Sequence, residues 1–548
     1  MSKKNIAFVI IIILTLLLLV DRYYWAQISQ WREDQATNMW LGYTNGIRNI
    51  PVGLISSQNI PNPNGMILLG GLLSILPNLL TVSFFLGSAQ IFLLILVGWK
   101  SFGKDWFYFA LATLPSLTSV ILRSTSVELW NQYTIGLINI FFIFWVIRYL
   151  EKPTLWNLPP ILLLILLAPS LYLAGIVNAL AMILITLGML IYKRPATNNF
   201  WLVVTISVLL LLISIFLTWF PYFQNVEMDQ IFDLNKTKLG PVAGFKAAWE
   251  FLFGIPNYVT FQWADKDIIS QAFKHSDTNI LTPPAQILLR LVGRTYLLQA
   301  VFAFVTFGYA VFSVLTKKDT DYKTHTTIAR LVSISVLFIV LSYTFSAWLG
   351  GPAWVDGERP DQNAQFFPLF LFIIFLLPFT ISMAGRPGKI IIGISYFSLL
   401  LFSLTNIFTG AIIIRDHLNY DGSVITEADV PLQDKSNAVD FIAEDWKSHS
   451  ISNIIPVDYD LGGGRWDWVP EFGVKLLEWY SAPMTGGRSF DYELLRQHGL
   501  INRQEGIQLR TFGTGKYLVT YAFDSPPVVK NKETTHHIFG RLRVSVVE

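Results

Sequence analysis

The chain has 548 residues, of which 53% are hydrophobic and only 14% are charged, and it contains no cysteine. Soluble domains carry about 25% charged residues, so this composition indicates a polytopic membrane protein. The formal net charge of only +3 argues against a nucleic-acid partner, and the lack of cysteine excludes disulfides, thiolate nucleophiles and thiolate-bound metals.

The N-terminal stretch "MSKKNIAFVIIIILTLLLLV" combines two lysines with a long apolar run, as a signal peptide does. The residues that follow, "DRYYWAQ", are bulky and offer no cleavage site with small residues. We therefore predict an uncleaved transmembrane helix at 5–25. Tyr23, Tyr24 and Trp25 are predicted to lie at the membrane interface, where aromatic residues are enriched.

Further apolar stretches approach or reach the roughly 20 residues that a helix needs to cross a bilayer. They predict spans at 82–99, 105–122, 130–150, 157–170, 171–192, 200–221, 295–316, 328–349, 365–384 and 389–411. With the first helix, about eleven transmembrane helices are expected. Two other apolar segments, 65–80 and 244–254, are predicted to lie in the interface with one face buried, without crossing.

Basic residues in the loops predict the orientation, because cytoplasmic loops are enriched in Lys and Arg. With the N-terminus inside, the inner loops hold Lys3, Lys4, Lys100, Lys104, Arg148, Lys152, Lys193, Arg194, Lys317, Lys318, Lys323, Arg330, Arg386 and Lys389. The outer loops of countable length hold Arg22, Arg32, Arg48, Arg123 and Arg359. This bias places the N-terminus in the cytoplasm and the loops 26–81, 222–294 and 350–364 outside.

A polar stretch after residue 411 marks the end of the predicted transmembrane domain, residues 1–411. Beyond it, "AVDFIAEDWKSH" has helical periodicity, whereas "KYLVTYAF" and "RLRVSVV" alternate as strands do. We predict a small extracytoplasmic α/β domain at 412–548.

The segment "WREDQATNMW", residues 31–40, places Glu33 and Asp34 shortly after the first helix. In water, such a pair is an ordinary solvated loop. Here a Gly/Asn/Pro-rich stretch follows, "IPVGLISSQNIPNPNGMILLGGLLSILP", which suits a loop folded tightly against the membrane. Partial desolvation in such a loop raises the pKa of a carboxylate and suits it to act as a general base.

Residues 1–150 resemble bacterial GT-C glycosyltransferases related to the protein O-mannosyltransferases and the lipid A aminoarabinose transferases. The resemblance rests on the first helix, then "REDQATN", "GIRNIPVGLISSQNIPNPNG" and "LLGGLLSILP", and on "ILRSTSVELWNQ" at 121–132. It implies a GT-C fold with about eleven helices. It also implies inverting transfer of a sugar from a polyprenyl-phosphate donor to a hydroxyl of a glycan, lipid or protein acceptor, on the outer face of the membrane.

The same resemblance implies roles for individual residues. Asp34 matches the catalytic carboxylate, which accepts the proton of the attacking hydroxyl, and Glu33 has a supporting role. Arg123, in the segment between the third and fourth helices, is implied in substrate binding. Asn62 and Asn64 of "NPNG", where the family has "NGP", are implied in substrate binding as well.

Two further residues could take part in the chemistry. Glu128 is either a second acid that binds the acceptor or a divalent metal, or a solvated loop end. Arg359 is either a clamp for the donor's phosphate, because an Arg fork pairs bidentately with phosphate, or an interfacial arginine that reaches toward water. Lys236, Lys238 and Lys246 are alternatives for the clamp. No other cofactor is assigned.

Two other functions remain open. A secondary transporter would place ionisable residues near the membrane midplane and often shows internal repeats, whereas the spans contain few such residues and no clear repeat. A non-catalytic protein with a GT-C-like scaffold differs from the enzyme only at Glu33 and Asp34, because a fold does not fix a function.

Overall fold

The computed structural model describes most of the predicted transmembrane part and several pieces of the C-terminal part. The described residues are 3–29, 35, 38–39, 41–42, 52–54, 61–76, 78–103, 105–196, 199–226, 240–254, 323–349, 364–381, 386–418, 430–449, 457–460, 517–522 and 533–547. Within these ranges the chain is mostly helical, with one small sheet near the C-terminus. The predicted helical membrane architecture with a C-terminal α/β part is therefore confirmed.

The first three helices are α1 (Lys3–Ile28), α2 (Gly65–Leu73) and α3 (Leu79–Phe102). α1 and α3 pack against each other, and Asn78 caps α3 by accepting a hydrogen bond from the Thr81 backbone over 2.8 Å. α2 has nine residues. At about 1.5 Å per residue it is too short to cross a bilayer, which agrees with the prediction that 65–80 is not a span.

The predicted span at 105–122 is two helices, α4 (Trp106–Thr118) and α5 (Val120–Ser126), which meet at an angle of 64°. Asp105 caps α4 through the Phe107 backbone. At the break, the Ser119 side chain accepts from the Leu122 backbone, and Asn406 Oδ1 accepts from the Val120 backbone over 3.1 Å. A side chain from a distant helix thus satisfies a backbone donor that the break exposes.

A second group of helices follows in the order α6 (Asn131–Glu151), α7 (Leu158–Leu171), α8 (Gly175–Tyr192) and α9 (Phe200–Ser214). A 3₁₀ turn (Leu155–Asn157) precedes α7, and a π-helical turn (Ile215–Trp219) joins α9 to α10 (Phe220–Asn225). α6, α7 and α8 pack on one another, and α9 packs on α7. Only 6% of the apolar window within Phe200–Asn225 is buried inside the protein, so most of this stretch is available for contact with lipid.

The remaining membrane helices are α11 (Gly240–Gly254), α12 (Lys323–Trp348), α13 (Phe367–Ile381) and α14 (Arg386–Leu418), with a 3₁₀ turn (Ala364–Phe366) before α13. α11 covers the predicted interfacial segment 244–254 and packs closely on α12, because a Cβ atom at Gly244 would lie 2.6 Å from the Tyr343 carbonyl oxygen. α13 is buried between α4, α12 and α14.

Six helices in the described ranges are long and apolar enough to cross a membrane, or seven if the bent pair α4–α5 counts as one span. Shorter apolar helices, among them α7 and α13, add to these. The chain is thus a multi-pass membrane protein. The predicted span at 295–316 lies outside the described residues, so the count of about eleven stays a prediction.

The C-terminal part consists of helix α15 (Leu432–His449) and strands β1 (Val457–Asp460), β2 (Tyr517–Tyr521), β3 (Thr534–Phe539) and β4 (Leu542–Val547). The sheet order is β1-β2-β4-β3, with β1 and β2 parallel and the other pairs antiparallel. The predicted helix and both predicted strands are present. α14 extends past the predicted boundary at 411 to Leu418, and the division into two domains stays a prediction.

Helix α15 connects the sheet to the membrane helices. It packs on β3 and β4 and also on α1 and α3. The Leu432 backbone at its start donates to the Ser29 carbonyl oxygen, just beyond α1, over 2.8 Å. In its first turn, Asp434 accepts from the Arg541 backbone in the β3–β4 turn over 2.9 Å. Gly540 in that turn has φ +56°, a left-handed conformation that glycine adopts without strain.

Candidate functional site

The described part of the acidic segment is packed inside the protein. Gln35, Asn38 and Met39 are each at most 3% exposed. A Cβ atom at Gly70 of α2 would lie 2.6 Å from the Asn38 carbonyl oxygen, so this glycine lets α2 pack directly on the segment. These three residues are packed within the protein, and the position of the segment against the membrane stays a prediction. Glu33 and Asp34 lie outside the described residues.

Gln35, the residue after Asp34 in the chain, connects the acidic segment to the other candidate acid. Its Nε2 donates to Glu128 Oε2 over 3.4 Å. Glu128 is partly buried and lies just after α5. The two acidic segments that the sequence indicates on separate grounds therefore meet at Gln35 and Glu128, and Glu128 is half-buried.

Arg123 of α5 lies inside the bundle, with 2% of its side chain exposed. Its Nη1 donates to Asp21 Oδ1 over 2.6 Å, and its Nη2 donates to the Asn406 carbonyl oxygen of α14. Its guanidinium carbon lies 5.4 Å from the centre of the Trp25 ring, within cation–π range. A Cβ atom at Gly410 would overlap the guanidinium group, so only a glycine leaves room for it there.

Asp21 binds a second buried arginine on its own helix. Asp21 Oδ2 accepts from Arg22 Nη1 over 2.8 Å. Arg22 Nη2 donates to the Leu117 carbonyl oxygen over 3.3 Å and to Gln90 Oε1 over 3.5 Å. We call Asp21, Arg22 and Arg123 the charge cluster. It joins α1, α3, α4, α5 and α14.

The charge cluster holds two guanidinium groups and one carboxylate. Burial of unbalanced charge is costly, so the remaining positive charge must meet partial negative charge. Two backbone carbonyl groups supply it, at Leu117 and Asn406. Leu117 lies in the last turn of α4, where the helix dipole is negative. The described partners of the two guanidinium groups are thus Asp21, Gln90 and these two carbonyl oxygens.

These positions correct three sequence-based expectations. Arg22 and Arg123 were counted among outer-loop cations, but both lie buried in helices. Trp25 was predicted to face the membrane interface, but it is 1% exposed and packs under Arg123. Tyr23 and Tyr24 are exposed, and their place at the interface stays a prediction. A helix has two faces, and the sequence did not show which face of α1 meets the bundle.

A row of contacts leads from the charge cluster toward Glu128. Ser29 Oγ and Ser83 Oγ lie 3.2 Å apart, and Ser83 also donates to the Val127 carbonyl oxygen next to Glu128. A Cβ atom at Gly87 would lie 3.0 Å from Val127 Cγ1 and 3.1 Å from Arg22 Cδ. Because Gly87 has no side chain, α1, α3 and the end of α5 can approach closely along this row.

Asn62 and Asn64, implied in substrate binding, are buried and bind the protein's own backbone. Asn62 Nδ2 donates to the Leu54 carbonyl oxygen over 2.9 Å, and its Oδ1 accepts from the Leu173 backbone over 3.1 Å. Asn64 Nδ2 donates to the Leu217 carbonyl oxygen over 2.8 Å. In this structure the two asparagines fix the segment before α2 to the α7–α8 turn and to the π-helical turn.

Arg359 lies outside the described residues, as do Lys236 and Lys238. Lys246 is on α11 with 76% of its side chain exposed and pairs with Glu250 over 3.6 Å. The nearest described residue after Arg359 that makes polar contacts is Gln365. Its Oε1 accepts from Asn178, and its backbone carbonyl accepts from Asn139. Within the described ranges, no group of three or more His, Asp or Glu side chains is arranged to hold a metal ion.

Sequence reasoning missed Asp21, Gln35 and Asn406. A signal for the first was present, because "DR" stands within the apolar first helix and ionisable residues inside a membrane helix are costly unless they are paired. Gln35 belonged to the quoted motif, but only the structure shows that it contacts Glu128. Nothing in the sequence connects Asn406 with α5, which lies more than 280 residues earlier.

Comparisons with known proteins find similarity among solved structures. No protein-family model and no curated protein matches the chain. Among solved structures, the chain is similar to ArnT from Cupriavidus metallidurans, crystallised with undecaprenyl phosphate. The TM-score is 0.43 and the sequence identity 10%, over 97% of this chain and 97% of that one. The residues of the site itself, not this similarity, support the function proposed next.

Proposed function

We propose that this protein is a membrane glycosyltransferase of the GT-C class. It moves a sugar from a polyprenyl-phosphate-linked donor to an acceptor hydroxyl on the extracytoplasmic face, with inversion at the anomeric carbon. The observation that supports this most directly is the contact between Gln35 and Glu128. It brings the segment of the family-like acidic motif next to a second carboxylate, in the packed surroundings that proton transfer favours.

The chemistry needs one base and a stabilised leaving group. Asp34 accepts the hydroxyl proton as the acceptor oxygen attacks the anomeric carbon. The bond between that carbon and the phosphate oxygen breaks, and the lipid phosphate leaves with the bonding electrons. Glu128, held by Gln35, orients the acceptor hydroxyl, and Glu33 supports Asp34. A leaving phosphate needs cationic donors rather than an acid.

Arg359 is the proposed donor clamp, because its planar fork matches two phosphate oxygens. Arg123 is less suited to this task than the sequence implied, because its Nη atoms bind Asp21 and Asn406. Asn62 and Asn64 serve the site by holding the segment before α2 in place. A divalent metal at Glu128 remains a proposal without a described cluster of further ligands.

The two alternatives predict different surroundings for the same residues. A transporter would use buried charges near the membrane midplane to bind its cargo. Here Asp21 and Arg22 lie near the end of the 26-residue helix α1 and bind other helices. A non-catalytic scaffold would lose nothing when Asp34 is changed, so substitution of Asp34 separates it from the enzyme.

The test is the substitution Asp34→Asn, with Glu33→Gln as the matched control. Cells without the gene, complemented with each variant, are compared by mass spectrometry of surface glycans and lipids. If Asp34 is the base, transfer falls by about 10²- to 10⁴-fold, while Glu33→Gln has a much smaller effect. Full transfer by Asp34→Asn with none by Glu128→Gln would make Glu128 the base. Full transfer by both would favour the scaffold.

A further inference from the structure

We infer that the charge cluster of Asp21, Arg22 and Arg123 positions the site: it clamps α5 between α1 and α14 and thereby holds Glu128 against Gln35. The inference rests on the proposed function in that the site is the same. It adds Asp21, Arg123 and Gly410 as positioning residues, which act on the site through Glu128.

The first step is that α5 needs an anchor. It has seven residues and follows a 64° break, so its own backbone hydrogen bonds do not fix its direction relative to α4. α5 and the residues just after it carry both Arg123 and Glu128. A rotation of this short helix would therefore move Glu128 directly.

The second step is that the anchor is charged and reaches three helices. Arg123 binds Asp21 on α1 and the Asn406 carbonyl on α14, while Asn406 Oδ1 accepts from the Val120 backbone at the start of α5. Asn406 and Gly410 are four residues apart, so they lie on one face of α14. That face supplies both the acceptor for the guanidinium and the space for it.

The third step is that a continuous row of contacts connects Arg123 with Glu128. Arg22 and Trp25 on α1 and Ser29 just after it recur at helical spacing and are all buried. Trp25 packs on Arg123, and Ser29 reaches Val127 through Ser83. Beyond Val127 comes Glu128, and it faces Gln35. These contacts follow one another along residues 22–35 on one side and residues 123–128 on the other. A displacement of Arg123 is therefore transmitted to Glu128.

The test uses Gly410→Ala, with Gly393→Ala as its matched control on the same helix. Alanine at Gly410 overlaps the Arg123 guanidinium, whereas a Cβ atom at Gly393 has nothing within 4 Å. Both changes raise helix propensity, and neither removes a charge. From helix propensity alone, both variants are expected to be neutral or stabilising. They differ only in whether the new methyl group displaces Arg123.

The readout is the distance between positions 35 and 128. The chain has no cysteine, so Gln35→Cys with Glu128→Cys introduces a clean pair for a short bifunctional methanethiosulfonate. The rate of cross-linking is measured per folded molecule after size-exclusion chromatography. We expect Gly410→Ala to slow it by about tenfold, which corresponds to about 1.4 kcal/mol against the close arrangement, and Gly393→Ala to leave it unchanged. Asp21→Asn should act as Gly410→Ala does.

Equal rates in all four backgrounds would overturn the inference, since the cluster would then contribute only to stability. Slow cross-linking in the parent pair would overturn it as well, because Gln35 and Glu128 would not be neighbours. The assay does not depend on catalysis. The two tests are therefore independent. Normal transfer by Asp34→Asn would contradict the proposed base, whereas unchanged cross-linking would contradict the positioning role of the charge cluster.

Discussion

Two carboxylates in different regions of the molecule, Asp21 in the membrane bundle and Asp434 in the C-terminal part, are both partly buried. Asp21 accepts from two arginines, one on each oxygen. Asp434 accepts from a backbone N–H of Arg541, and its burial raises its pKa to about 6 despite that bond and the Arg541 charge. Burial alone therefore does not decide whether a carboxylate helps the fold; the charge that surrounds it does.

The largest effect is expected for Asp21→Asn. The change leaves two buried guanidinium groups without their carboxylate, and removal of one partner of a buried ion pair costs about 3–5 kcal/mol. We expect the free energy of unfolding to fall by that amount, measured by thermal or denaturant unfolding in detergent. A loss below about 1 kcal/mol, which is typical of exposed pairs, would remove the contrast with Asp434. Glu250→Gln, which breaks the exposed pair with Lys246, is the control.

The sequence predicted those elements that depend on the length of an apolar run or on hydrophobic periodicity. The described spans, the short helix α2 and the strands β2 and β4 follow from apolar runs and alternation, which each segment carries by itself. Strands β1 and β3 were not predicted. The break between Thr118 and Val120 was not predicted, because its backbone donor is satisfied by Asn406 from a distant helix. The charge cluster was missed for the same reason, since pairing across helices leaves no local pattern.

Asp434→Asn is expected to act in the opposite direction. The pKa of Asp434 is about 6 in the folded protein, against an ordinary value of 3.8. Between these two values Asp434 holds a proton in the folded state and releases it in the unfolded state. The contribution of Asp434 to the free energy of unfolding therefore falls as the pH rises from about 4 to about 6 and is constant above that. A difference of about two pKa units amounts to at most about 3 kcal/mol.

Asparagine removes that titration and can still accept from the Arg541 backbone. We therefore expect Asp434→Asn to be more stable than the parent at pH 7 and about equal to it near pH 4, by differential scanning fluorimetry of the full chain. The difference between the two proteins cancels the other groups that titrate in this range. If the variant were less stable than the parent at pH 7, the attraction between Arg541 and the Asp434 carboxylate would outweigh the cost of burying that carboxylate.

Arg22→Gln sharpens the comparison within the charge cluster. It removes the excess positive charge and leaves Asp21 paired with Arg123, so it should cost less than Asp21→Asn. The loss is that of a charge-assisted hydrogen bond, about 1.5–3 kcal/mol, in the same unfolding experiment. If Arg22→Gln cost more than Asp21→Asn, the carbonyl groups at Leu117 and Asn406 would not be the groups that balance the cluster.

The smallest effect is expected in a third polar group, which carries no charge at all. Asn178 Nδ2 donates to Asn139 Oδ1 and to Gln365 Oε1, both over 3.4 Å, and Asn178 is fully buried. These contacts are long, and hydrogen bonds between membrane helices contribute about 0.6 kcal/mol on average. Among the described residues, the Oδ1 of Asn178 has no hydrogen-bond partner, so leucine also removes an unsatisfied acceptor. Asn178→Leu should therefore change the free energy of unfolding by less than about 1 kcal/mol. A loss as large as that of Asp21→Asn would mean that neutral amides join these helices as firmly as charged groups do. The pairing of Asp21 with two arginines would then no longer explain why Asp21 is expected to stabilise the fold and Asp434 is not.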